Sequence, residues 1–187
     1  SARNVNRLDP AVFDNVGIFG VWPPKPSMPT GVSAVGGDGQ VLLTWAAAEH
    51  AAGYNVKRAM NADGAYQTVA ANIADLEFTD AGLSNGTLYH YVVAGINIHG
   101  EGPGSAPVSA RPVSLSPVAV TALTAEGLIK FSWPQTHFGW RLEAQTNPIT
   151  SGLGREWFTV QGSDLTNQIS VPVDGSNPSV FFRLVYP

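Results

Sequence analysis

Four histidines, His50, His90, His99 and His137, are the first side chains to test for chemistry, because the 187-residue chain contains no cysteine. Without thiols there is no disulfide, no thiolate metal site and no thiol nucleophile. A zinc-type site asks for two histidines three to five residues apart with a further ligand, and none of the four has such a neighbour or an accompanying glutamate. His90 stands between Tyr89 and Tyr91 in an alternating run, which turns it to the opposite, solvent-facing side.

The carboxylates Asp9, Asp14, Glu49, Glu77, Glu101 and Glu126 read as turn or terminal residues, without the cleft that an acid and base pair requires. No Gly-x-Ser-x-Gly nucleophile turn occurs. Gly152, Leu153 and Gly154, like the glycines between 100 and 104, lack the strand-to-helix context and the lysine of a phosphate loop. Asn61, Asp63 and Gly64 begin like a calcium loop but lack its later glutamate, and read as a turn. The chain thus offers no catalytic residue, no metal ligand set and no cofactor motif, and it is expected not to be an enzyme.

Three tryptophans raise a binding question instead, because sugar-binding sandwiches present flat aromatic faces to pyranose rings. Alternation with Leu142 and Val160 assigns Trp140 and Trp157 to a core. Trp22 lies in a proline-rich stretch and is the better candidate for exposure or for a contact between domains.

Charged residues make up 13% of the chain, about half the usual share. That composition suits short strands and tight turns. The formal net charge is −4, with no block of lysine or arginine, so a nucleic-acid or anionic-membrane surface has nothing to rest on. The longest apolar run, residues 11–22, is broken by Asp14 and Asn15 and is too short to span a bilayer. A start at Ser1 with no leader pattern reads as a processed or excised piece.

The elements that would position any site are strands. Val41, Leu43 and Trp45 alternate, then Tyr54 and Val56. Residues 66–69, 76–78 and 89–96 come next, separated by Gly, Asn or Asp turns. Short strands about ten residues apart indicate an antiparallel sandwich. Leu83, Gly86 and Tyr89 have the spacing of a tyrosine corner, in which the phenol bonds back to nearby backbone.

Pro29, Val32, Trp45, Tyr54, Val56, Leu83, Gly86, Tyr89, Val93, Asn97, Gly100 and Ser105 together resemble a fibronectin type III domain over residues 27–113. The resemblance implies a seven-stranded fold with no enzymatic activity of its own. Gly95 departs from it, standing where the family usually has alanine, and is expected to loosen local packing. The family's integrin-binding Arg-Gly-Asp loop has no counterpart in the 97–104 turn. Before this domain, Pro23, Pro24, Pro26 and Pro29 read as a semi-rigid polyproline spacer.

A second series begins after a Ser/Pro joint at residues 114–117. It comprises 118–122, then Ile129, Phe131 and Trp133, then Trp140, Leu142 and Ala144, then 157–160, then Ile169, Val171 and Val173, and lastly Val180, Phe182 and Leu184. The step from Trp157 to Ile169 repeats the one from Tyr66 to Phe78, and Ile169 to Val180 repeats Phe78 to Tyr89. These are the first six strands of a seven-strand sandwich, and the seventh is absent. Residues 128–187 resemble C-terminal modules that close large secreted bacterial proteins. The string Phe13, Asp14, Asn15 and Val16 resembles the closing strand of jelly-roll, lectin-like domains in such proteins.

The resulting expectation is an all-β chain of two tandem antiparallel sandwiches. Residues 1–26 are an N-terminal strand and proline-rich linker, 27–113 the fibronectin-like domain, and 114–187 the C-terminal sandwich. The role is a non-catalytic extracellular spacer of a secreted or surface bacterial protein, with neighbouring domains or other copies as partners. Self-assembly would run through a donated strand (Val12, Phe13, Val16, Ile18, Phe19) meeting an acceptor edge (Val180, Phe182, Leu184, Tyr186). The alternative is a carbohydrate-binding accessory module of a polysaccharide-degrading enzyme.

Overall fold

The computed structural model describes residues 23–148, 150, 152–173, 175 and 179–186. The candidate donor residues Val12, Phe13, Val16, Ile18 and Phe19, and Trp22 with them, lie outside the described residues. The rest is all-β, as its strand-forming composition predicts, with two antiparallel sandwiches in tandem.

In the first sandwich, β1 (Ser33–Gly37), β2 (Gln40–Thr44) and β5 (Glu77–Ala81) form one sheet in the order β1-β2-β5. The facing sheet runs β4-β3-β6-β7, built from β3 (Gly53–Ala59), β4 (Gln67–Ile73), β6 (Tyr89–Asn97) and β7 (Gly100–Gly104). A short β8 (Val108–Ala110) completes it by pairing with the start of β6 and lying beside β1. Period-two alternation turns Val41, Leu43, Tyr54, Val56, Tyr91 and Val93 inward, where each is buried. The tyrosine corner forms as expected, with the Ser84 amide donating to the Tyr89 hydroxyl at 3.1 Å.

The proline stretch is not a free spacer up to its last residue. Pro26 and Pro29 are fully buried, and the Ser27 amide donates to the Glu49 carbonyl at 3.0 Å. Asn97 Nδ2 donates to the carbonyls of Pro24 (2.7 Å) and His50 (3.0 Å), tying the segment to the end of β6. Gly95 is part of the same seat. A Cβ there would stand 2.8 Å from the Pro26 Cβ, and one on Gly102 would stand 2.2 Å from the Pro26 carbonyl oxygen. The glycine expected to loosen the packing therefore admits Pro26 instead.

The second sandwich has β9 (Thr121–Ala125), β10 (Leu128–Ser132) and β13 (Gln168–Pro172) in the order β13-β10-β9. Its other sheet is β12-β11-β14, from β11 (Arg141–Thr146), β12 (Phe158–Thr159) and β14 (Val180–Val185). Phe131, Trp133 and Leu142 form the buried centre, with Ile129, Ile169, Val171, Phe182 and Leu184 packed around them. Trp45 and Trp133 each come directly after the second strand of their sandwich. Both donate a backbone N–H to the residue just before the fifth strand, Leu76 and Asn167, at 3.0 Å. Each also buries an indole N–H without a hydrogen-bond partner.

Candidate functional site

Where the sandwiches meet, the chain builds a joint from three loops. Gly86, at φ +82°, lies within the tyrosine corner, and a Cβ there would lie 2.5 Å from the Gln135 carbonyl oxygen. Only a residue without a side chain permits both that backbone conformation and that approach. Gln135 opens the short 3-10 turn Gln135–His137 of the second sandwich. Arg111 donates to the Gly86 carbonyl and lays its guanidinium 4.4 Å from the Phe138 ring centre.

The connecting segment is bonded on both sides. Toward the first sandwich, the Val113 amide donates to the Gly37 carbonyl at 3.0 Å and the Leu115 amide reaches Asp38 Oδ2 at 3.5 Å. Toward the second, the Ser114 amide donates to the Thr136 carbonyl (2.8 Å) and Trp140 Nε1 donates to the Ser114 carbonyl (3.0 Å). His137 is buried here, its Nε2 2.7 Å from the Ser116 carbonyl and its Nδ1 2.9 Å from Thr136 Oγ1. A carbonyl only accepts, so Nε2 carries the proton and Nδ1 accepts from the threonine hydroxyl. The histidine is a structural pin.

Trp140 corrects the expectation that it fills the second core. It is 8% exposed and closes the joint end, edge-on to His137 and Tyr186 at 4.9 and 5.7 Å between ring centres. Trp157 corrects it differently. It lies half-buried just before β12, with the Arg183 guanidinium 4.2 Å over its ring. No stacked row of exposed indoles results from these two. The large exposed aromatic is Phe158, 70% accessible on the short edge strand β12.

Two polar clusters hold perturbed groups. Inside the first sandwich, Asp80 accepts from Arg58 Nη1 at 2.7 Å and from the Tyr91 hydroxyl at 3.0 Å. Burial, then the Asp80 charge and hydrogen bond, push the Tyr91 phenol well above its ordinary value. Burial opposes the Arg58 charge, but the hydrogen bond and charge of Asp80 outweigh it and the net shift is upward. On the outer face of the second sandwich, Glu143 is buried between Arg183 (2.7 Å) and Arg141 (3.2 Å). The Arg183 hydrogen bond is the main reason its carboxyl is held below the usual range. Gln145 beside it takes the Gly154 amide and donates to the Glu156 carbonyl, holding that loop over the sheet. Glu101 also differs from its reading as a turn residue. It lies in β7, with Lys57 and Asn55 bonded to its carboxylate and its acidity increased by them.

Each cluster is saturated by its own neighbours and presents no free acid, base or nucleophile to a cleft. Among the described residues no three His, Asp or Glu side chains gather as metal ligands. The Asn61 to Gly64 segment is a turn closed by the Gly64 amide on the Asn61 carbonyl at 3.0 Å. No helix among the described residues is long and apolar enough to cross a membrane.

The acceptor-edge residues are where the alternation places them. Phe182 and Leu184 pack into the second core from β14, and Tyr186 lies just beyond it against Trp140. Val180 lines, with Phe182, Ile129, Ala144 and Val171, an apolar cleft of about 320 Å³ between the sheets. Among the described residues β14 pairs with β11 alone. The joint was missed in the sequence, where its signal is Gly86 within a tyrosine corner and a connector too short to swing freely.

Residues 25–111 match the profile of the Fibronectin type III domain, so the first sandwich belongs to that family. The amylopullulanase of Thermoanaerobacterium thermosulfurigenes is 34% identical over 79 residues, 42% of this chain. That of Thermoanaerobacterium saccharolyticum is 33% identical over 72 residues, 38% of this chain. The matched segment spans only 4% and 6% of those two proteins. A solved Fn3-like protein from Clostridium thermocellum is 38% identical, covering 50% of this chain and 97% of its own, with a TM-score of 0.43.

Proposed function

We propose that this chain is a non-catalytic accessory region of a larger polysaccharide-degrading protein, acting outside the cell as a stiff spacer between neighbouring domains. The joint carries the reading. Gly86 against Gln135, Arg111 on Phe138, and a connector bonded to both sandwiches leave little freedom between them. The amylopullulanase relatives support the polysaccharide setting. The resemblance of residues 128–187 to modules that close large secreted bacterial proteins supports the extracellular one.

Holding distance is the task, and direct sugar binding is secondary. Trp140 is spent on the joint, and Trp157 has a guanidinium over its ring, whereas a pyranose platform needs an open aromatic face. Two measurements test the proposal. Small-angle scattering should give one extended particle of fixed length, and a distribution of interdomain distances would overturn the spacer role. Electrophoresis through gels containing starch or pullulan should show no retardation; retardation abolished by Phe158→Ala would establish the carbohydrate-binding alternative.

A further inference from the structure

The first sandwich shows what the second lacks. There, β7 and β8 run along the outer edge of β6, and β8 lies beside β1 to close the core. In the second sandwich β14 takes the place of β6, pairing with β11 on one side only among the described residues. All five residues of β9, the counterpart of β1, are exposed. A strand edge with outward N–H and C=O groups, beside an uncovered first strand and an apolar cleft, is a site for one more strand.

We infer that residues 11–19 of a second copy of this chain add to the outer edge of β14. The segment carries Val12, Val16 and Ile18 at one parity and Phe13 and Phe19 at the other, so either face can offer apolar side chains to the cleft. Reach excludes its own second sandwich. Pro24 is bonded to Asn97 at one end of β6, while Gly86, preceding the other end, meets the second sandwich. The nine residues of β6 span roughly 27 Å. The five residues from Pro24 back to Phe19 extend at most about 17 Å. The strand therefore goes to a neighbour. Such a head-to-tail contact does not close on itself and propagates into a filament.

Sedimentation velocity of the full chain tests this directly. It should show species that grow with concentration, and Val16→Asp with Ile18→Asp in the same chain should leave a monomer with both sandwiches folded by circular dichroism. A labelled peptide of residues 11–19 should bind that double variant, and the peptide bearing the same two aspartates should bind roughly tenfold or more weakly. Appending residues 11–19 after Pro187 in the double variant should raise the melting temperature of the second sandwich while keeping the protein monomeric. A full chain that stays monomeric at all concentrations, or a double variant that assembles as before, would overturn the inference.

Discussion

Trp45 and Trp133 occupy the same place in their sandwiches, yet the cores around them differ sharply. The first has ten buried hydrophobic residues at its centre and the second three. Strand count up to β6 and β14 is the same, so the difference lies at the outer edges of those two strands. A sixth strand with a partner on both sides closes its core; one with a single partner leaves its neighbours half-covered. The second sandwich compensates on its outer face, where Glu143, Arg141, Arg183 and Gln145 knit sheet and loop together. Hydrophobic burial stabilises one unit, and a polar network supplements it in the other.

The contrast is sharpest for two fully buried leucines. Leu43→Ala should destabilise the first sandwich by about 4 kcal/mol, and Leu142→Ala the second by only about 2 to 3 kcal/mol, because a less enclosed site relaxes around the cavity. Urea unfolding followed by residue-resolved NMR reads the two separately, and equal losses would break the comparison. Asp80→Ala strands the Arg58 charge in the first core and should cost about 3 kcal/mol there. The melting of the second sandwich should not move, and if it falls equally the two units unfold as one.

The joint answers a smaller question. Gly86→Ala combines a left-handed backbone with a clash against Gln135, for a loss of about 1 to 2 kcal/mol and a larger radius of gyration by scattering. An unchanged radius would show that the connector alone sets the geometry. Smallest is the effect of acid. Glu143 has its folded-state value lowered, so its contribution is present above the unfolded value near 4.3 and is lost as pH falls through the lowered one. Its partners Arg141 and Arg183 are partly exposed, which limits the effect to about 1 kcal/mol. Melting of the second sandwich between pH 6 and pH 3 should show this step, and Glu143→Gln should remove it.

Much of this architecture was legible in advance because strand alternation is a local property. Val41, Leu43, Tyr54, Val56 and Val93 all turn inward as their period requires, and Leu83, Gly86 and Tyr89 form the corner their spacing predicts. The second series produced its six strands, each within a few residues of the expected place. The tryptophans were less transparent. Parity placed Trp140 on the same side as Leu142, but not at the pole where the other sandwich arrives. Trp157 precedes a two-residue strand, too short for alternation to assign a face.

Order, turns and the fibronectin-like identity of the first unit were therefore determined by the sequence itself, through side-chain periodicity and the dihedral demands of glycine and proline. Tertiary structure alone decided that Pro26 seats on Gly95, that Gly86 admits Gln135, that Trp140 guards a joint, and that β14 keeps an open edge among the described residues. Each of these depends on an approach between residues far apart in the chain, or on the absence of one. Backbone packing at such distances leaves no periodic trace, and a single glycine records only that something comes close.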